Sequence, residues 1–149
     1  MNVQLGVPPN TPVAIAPQDA EHYWSDVEAV LRILETWTQS FAADDVRVAI
    51  ANGVLQLWSV LDKNGAASLA VTGVASSARG SMCVLWLLAS PNAEGAAISA
   101  LADRVEDYSR QRGCAVLEIR ALPGWAGRLK GKFTSVSIER DTRTPRRTN

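Results

Sequence analysis

The sequence predicts an α/β (α+β) fold, with a mixed, mostly antiparallel sheet flanked by helices, on three observations. Ser81–Arg120 reads strand, loop, amphipathic helix, strand. Ahead of it, Asp62-Lys63-Asn64-Gly65 separates two apolar segments, and Asn-Gly readily supplies the positive φ of a tight hairpin turn. Finally, 149 residues with 47% hydrophobic and 20% charged content suffice for one domain with a sizeable core.

The elements follow in order. Residues 1–17 form an extended arm with prolines at 8, 9, 12 and 17, ending in a short edge strand at Val13–Ala16, because proline removes a ladder donor. Asp19–Thr38 is the first helix, with Tyr23, Val27, Val30, Leu31 and Leu34 at helical spacing. Ala42–Ala51 is a second, stopped by Asn52-Gly53. Val54–Leu61 and Ala67–Ala75 are the hairpin strands, and Met82–Leu88 is an unbroken apolar strand. On the helix Ala96–Arg112, Ile98, Leu101, Val105 and Tyr108 face one way, while Asp103, Arg104, Glu106, Asp107 and Arg110 face away. Cys114–Arg120 follows as a strand, Leu122–Lys130 as an irregular segment or short helical turn, and Phe133–Arg140 as the last strand. The order is arm-α-α-β-β-β-α-β-α-β, with a domain over 18–141 and a basic tail over 142–149. A helix of crossover length between two apolar strands predicts that Met82–Leu88 and Cys114–Arg120 are adjacent and parallel.

Charge and cysteine usage bound the function classes. No apolar run approaches the ~20 residues that span a bilayer, and no signal segment is recognisable. Cys83 and Cys114 fall in apolar strands and read as small core residues in a reducing compartment. His22 is the sole histidine, so no zinc-ligand cluster exists in the sequence. The net charge of zero hides an asymmetry: from Arg128 onward seven basic residues face two acidic ones, and the preceding chain has eight basic and thirteen acidic residues. A basic end carrying Arg143, Arg146 and Arg147 is either a solvated tail or a contact with an anionic partner or a second copy. Self-association or a protein partner is favoured over DNA. Trp24, Trp37 and Trp125 are candidate interface anchors, Trp125 alternatively a lid over a pocket, while Trp58 and Trp86 lie within strands as core.

The element order resembles that of the GNAT superfamily of N-acetyltransferases over nearly the whole chain. The motif carrying the resemblance is Asn92-Ala93-Glu94-Gly95-Ala96-Ala97, at the strand-to-helix joint where that family has Gln/Arg-x-x-Gly-x-Gly/Ala. Gly95 and Ala97 match, Asn92 replaces Gln or Arg, and Glu94 adds a negative charge. The resemblance implies a site for the pyrophosphate of acetyl-coenzyme A on backbone N–H groups, with Asn92, Gly95 and Ala97 as the cofactor-binding positions. It also implies a general base and a tyrosine that protonates the thiolate. Glu118, on the second strand, reads first as an edge or outward-facing strand charge and only second as the base, and no tyrosine follows Arg120. Cys83 has no base partner to make it a nucleophile. A chain of this kind resembles the degenerate versions encoded by tailed bacteriophages and prophages. The expectation is therefore an assembly or interaction component needing no cofactor, in a bacterial cytoplasm or within a virion. The alternative is an acetyl-coenzyme A-dependent N-acetyltransferase of an unidentified amine.

Overall fold

The computed structural model describes residues 7–35, 42–78, 80–88, 93–121, 129 and 142, and the backbone of 132–134 and 137–141. Strand β1 (Val13–Ile15) is followed by a 3-10 helix (Pro17–Tyr23), α1 (Trp24–Glu35), α2 (Ala43–Ala51), β2 (Gln56–Leu61), β3 (Ala67–Ser77), β4 (Gly80–Leu87), α3 (Gly95–Gln111), β5 (Val116–Arg120), β6 (Lys132–Thr134) and β7 (Ser137–Asp141). The strands form one seven-stranded sheet in the order β1-β2-β3-β4-β5-β7-β6. Every pair is antiparallel except β4–β5, which runs parallel from Met82↔Val116 to Trp86↔Arg120 and is joined by α3. The crossover expected from the two apolar runs is present. Among the described residues, no helix is long and apolar enough to cross a membrane.

Two elements differ from the sequence reading. The first helix is not continuous from Asp19: Pro17 opens a 3-10 segment in which the Asp19 N–H donates to the Ala16 carbonyl at 2.9 Å, and α-geometry begins only at Trp24. Ala16 offers no capping side chain, and the tighter i→i+3 pattern satisfies the first N–H groups instead. The last strand is two strands, β6 and β7, paired with Thr134 opposite Ser137. Phe133–Arg140 has none of the Gly, Asn or Pro residues that mark a turn, so its alternation reads as unbroken. Of the expected short helix at Leu122–Lys130, only Leu129 is described, and it is buried.

Strand alternation splits the core between the two faces of the sheet. On one face, Trp58, Val60, Ala70, Cys83, Leu85, Leu87, Leu117 and Ile119 meet the apolar stripe of α3 (Ile98, Leu101, Val105). On the other, Leu57, Leu69, Val71 and Ile15 meet α1, α2 and the 3-10 helix through Trp24, Val27, Leu31, Val46 and Ile50. Gly73 marks a close approach on this second face: a Cβ there would lie 2.5 Å from Leu55 Cδ2. The atom it meets is the far end of a flexible, half-buried side chain, which can turn aside. We expect Gly73→Ala to cost only about 1 kcal/mol, read from the midpoint of urea unfolding. A loss above about 3 kcal/mol would mean that the Leu55 side chain has no other rotamer available.

Candidate functional site

The carboxyl ends of parallel strands, where neighbouring connections diverge, are where open α/β sheets hold ligands. Here that edge is built from the end of β4, the N-terminus of α3 and the end of β5. Gly95 opens α3, and Ala97, two residues on in the first turn, is 1% exposed against the α3-side core, so the helix start is packed directly onto the sheet. Glu94 is the N-cap residue with extended backbone (φ −63°, ψ 125°) but makes no side-chain cap hydrogen bond. Its carboxylate instead accepts the backbone N–H of Lys63 in the β2–β3 hairpin at 3.3 Å. The first turn of α3 itself carries no acidic residue. Gly95 and Ala97 thus stand where an anion would meet helix N–H groups, whereas Asn92 lies outside the described residues.

Glu118 sits on β5 with a side chain 16% exposed, and the Arg120 Nε donates to its Oε1 at 2.7 Å. The same guanidinium lies 5.9 Å above the Trp86 ring, which is opposite Arg120 in the β4–β5 register. Glu118 is therefore the ion-pair partner of a strand arginine, with its Oε1 already engaged. Trp86, read from sequence as core, is half-buried against the α1/α2 side.

Both cysteines are free and buried. Burial, followed by the nearby Cys114, pushes the Cys83 thiol up to about 12. The Ser109 hydroxyl lies beside the thiol, an arrangement that opposes the shift without prevailing, and it reaches no partner at good hydrogen-bond geometry. A thiol of that kind is neither a nucleophile nor a metal ligand at neutral pH. We expect a disulfide reagent such as Ellman's to titrate no thiol in the native protein and both in denaturant. Fast labelling of one thiol in the native state would show that β4 or the start of β5 opens.

Trp24, a candidate interface anchor, is 8% exposed and belongs to the α1/α2-side core. Its Nε1 donates to Glu28 Oε2 at 3.0 Å, and the Arg47 guanidinium lies 5.1 Å over its ring. Arg47 also forms a bidentate pair with Glu21, at 3.0 and 2.5 Å. That hydrogen bond holds the Glu21 carboxyl below its ordinary value and raises Arg47. The acidic first helix is thus partly neutralised by its own neighbour α2. The candidates Trp37, Trp125, Arg143, Arg146 and Arg147 lie outside the described residues.

The sequence reading missed one constellation. Glu106, placed on the outer face of α3 by its charge, is 4% exposed. Arg110 reaches its carboxylate at 3.2 Å and that of Asp107 at 3.2 Å, and its Nε donates to the Thr142 carbonyl at 2.8 Å. Thr142 is fully buried; its N–H donates to the Ala115 carbonyl at 3.0 Å and its hydroxyl to the Cys114 carbonyl. The i, i+4 spacing of Glu106 and Arg110 signals the pair. Its burial, and the tie to Thr142, depend on long-range packing.

His22 and Asp19 line, with Val13–Ala16 and Tyr23, a cavity of about 380 Å³ between β1 and the 3-10 helix. Among the described residues, no group of three or more His, Cys, Asp or Glu side chains is placed to hold a metal ion. No protein-family model matches the chain, and no characterised protein is significantly similar to it.

Proposed function

We propose that this chain is a GNAT-like α/β protein acting by binding and assembly rather than as an efficient acyltransferase. The observation that carries the reading is the state of Glu118. It is the only carboxylate on the two parallel strands, and it is bonded to Arg120 at 2.7 Å. A general base must come within hydrogen-bond reach of the amine it deprotonates, and Glu118 instead directs Oε1 at the Arg120 guanidinium. The nearby thiol at Cys83 is too basic to substitute. The absence of any tyrosine after Tyr108 removes the usual acid for a thiolate leaving group. A component of a bacterial or phage assembly is the setting in which such a frame without the proton-transfer set remains useful.

The N-terminus of α3 favours a second reading, acetyl-coenzyme A binding with N-acetyl transfer. Glu94 points its carboxylate at the Lys63 N–H, which lessens its repulsion of a pyrophosphate on the helix N–H groups. Calorimetry with acetyl-coenzyme A separates the two readings. We expect weak or no binding by the natural sequence, no turnover on amine substrates, and tighter binding by Glu94→Gln. Tight binding together with turnover would move the chain to the enzyme class.

A further inference from the structure

Six arginines have described side chains, and they fall into two sets. Arg32, Arg47, Arg110 and Arg120 each pair with a carboxylate. Arg104 and Arg112 have no carboxylate partner among the described residues; both stack on rings instead. The Arg104 guanidinium lies 5.2 Å over Trp58, Trp58 meets Tyr108 edge-on at 5.2 Å, and Arg112 lies 5.6 Å over Tyr108. Arg104 Nη1 is buried with no acceptor. A ring face attracts a cation, yet leaves the fork of N–H donors unfilled. The flank of α3 thus presents two guanidinium groups about 12 Å apart along the helix axis and short of acceptors.

Exposed apolar surface lies on the same side of the sheet. Val74 is 45% exposed; it alternates with Ala70 and Thr72, which belong to the α3 side, and pairs with Cys83. Val54, two residues ahead of β2, is 71% exposed. A polyphosphate has no use for two exposed valines, and the acidic excess ahead of Arg128 would repel one. A polypeptide carrying acids beside an apolar side chain fits both features.

This chain supplies such a surface itself. On α2, Val48 lies four residues after Asp44 and three after Asp45 on the solvent side; the Asp44 side chain is 80% exposed and Val48 59% exposed. Among the described residues Asp45 makes no ion pair, and Asp44 meets Arg32 at 3.4 Å and feels the charge of Arg47, exposed contacts that can exchange. We infer that the α3 flank carrying Arg104 and Arg112 docks the Asp44/Asp45/Val48 face of α2 from a second copy of this chain. α2 and α3 cover opposite faces of the sheet, so the contact is heterologous and each copy keeps one free half, giving a ring or an open filament. This inference rests on the assembly reading above.

Charge reversal on each half, followed by mixing, tests it. Sedimentation or light scattering of the full chain at low salt should show mass rising with concentration above the 16.0 kDa of one copy. Arg104→Glu with Arg112→Glu, and separately Asp44→Lys with Asp45→Lys, should each weaken association by roughly tenfold or more. A one-to-one mixture of the two variants should recover association, because the intact α2 face of one meets the intact α3 flank of the other and the two reversed faces are again opposite in charge. That recovery also shows that both variants are folded. Arg112→Gln alone, which keeps the size and removes the charge, should weaken association less than the double reversal. A full-length protein that stays a monomer at every concentration overturns the inference, as does an oligomer unchanged by both charge-reversal pairs. Acetyl-coenzyme A turnover, followed in the same samples, is a separate readout that bears on the assembly reading and not on this contact.

Discussion

Trp58→Ala should lower stability by about 3–5 kcal/mol, the range for deleting a large aromatic side chain from a core that cannot fully collapse. Trp58 is 1% exposed, on β2 between the α3 stripe and the β3–β4 hairpin. Its ring holds Tyr108 edge-on and Arg104 on its face, and its Nε1 donates to the buried Thr72 hydroxyl at 2.9 Å. Trp58→Phe separates packing from hydrogen bonding. It keeps a ring of smaller volume but strands Thr72, which is 1% exposed, at a further cost of about 1–3 kcal/mol. Adding Thr72→Val to Trp58→Phe should restore part of that loss, because both polar partners are then gone. Urea unfolding of the natural sequence, Trp58→Phe, Thr72→Val and the double variant checks the cycle. Strict additivity of the two changes would mean that the Trp58–Thr72 bond contributes nothing.

The parts of the fold legible in the sequence are those set by local periodicity and turn chemistry. Asn64-Gly65 located the β2–β3 hairpin, with Gly65 at φ 80°. The run Met82–Leu88, the stripe Ile98/Leu101/Val105 and the run after Gly113 located the parallel crossover, because a strand buried on both faces must be apolar throughout. The missed features have no local signal. The break at Tyr23–Trp24 arises from Pro17 and an uncapped Ala16, while the apolar spacing runs on across it. The connection from β6 to β7 contains no Gly, Asn or Pro.

The candidate site was legible to a lesser degree, for the same reason. Gly95 and Ala97 begin α3 as the motif implied, since a strand-to-helix joint is a local feature. Whether Glu118 is free depends on Arg120 two residues along the same strand, where i, i+2 side chains share a face. That pairing is readable once the strand is known. The engagement of Glu94 with Lys63 spans 31 positions and is a property of packing alone. The division of the arginines into carboxylate-paired and ring-stacked sets has no counterpart in composition.

The charge least expected on sequence grounds to matter for stability gives the second large effect. Arg110→Met should destabilise the protein by about 3 kcal/mol, whereas Asp107→Asn should cost under about 1 kcal/mol. Arg110→Met takes the guanidinium from both carboxylates, each at 3.2 Å, whereas Asp107→Asn removes the charge of only one of them. They differ in what is left behind. Asp107→Asn leaves Arg110, 37% exposed, open to water and still paired with Glu106; Arg110→Met leaves the Glu106 carboxylate, 5% exposed, without its guanidinium. Arg110 also donates to the Thr142 carbonyl, so its loss loosens the point where the chain leaves β7 and is tied back to Cys114 and Ala115. Pairing Arg110→Met with Glu106→Leu removes the stranded charge and should recover much of the loss. Hydrogen exchange at the Thr142 N–H distinguishes the two contributions: it should quicken in both Arg110 variants, because neither restores the bond to the Thr142 carbonyl. An Arg110→Met protein that unfolds at the same urea concentration as Asp107→Asn would show that Glu106 reaches water in solution.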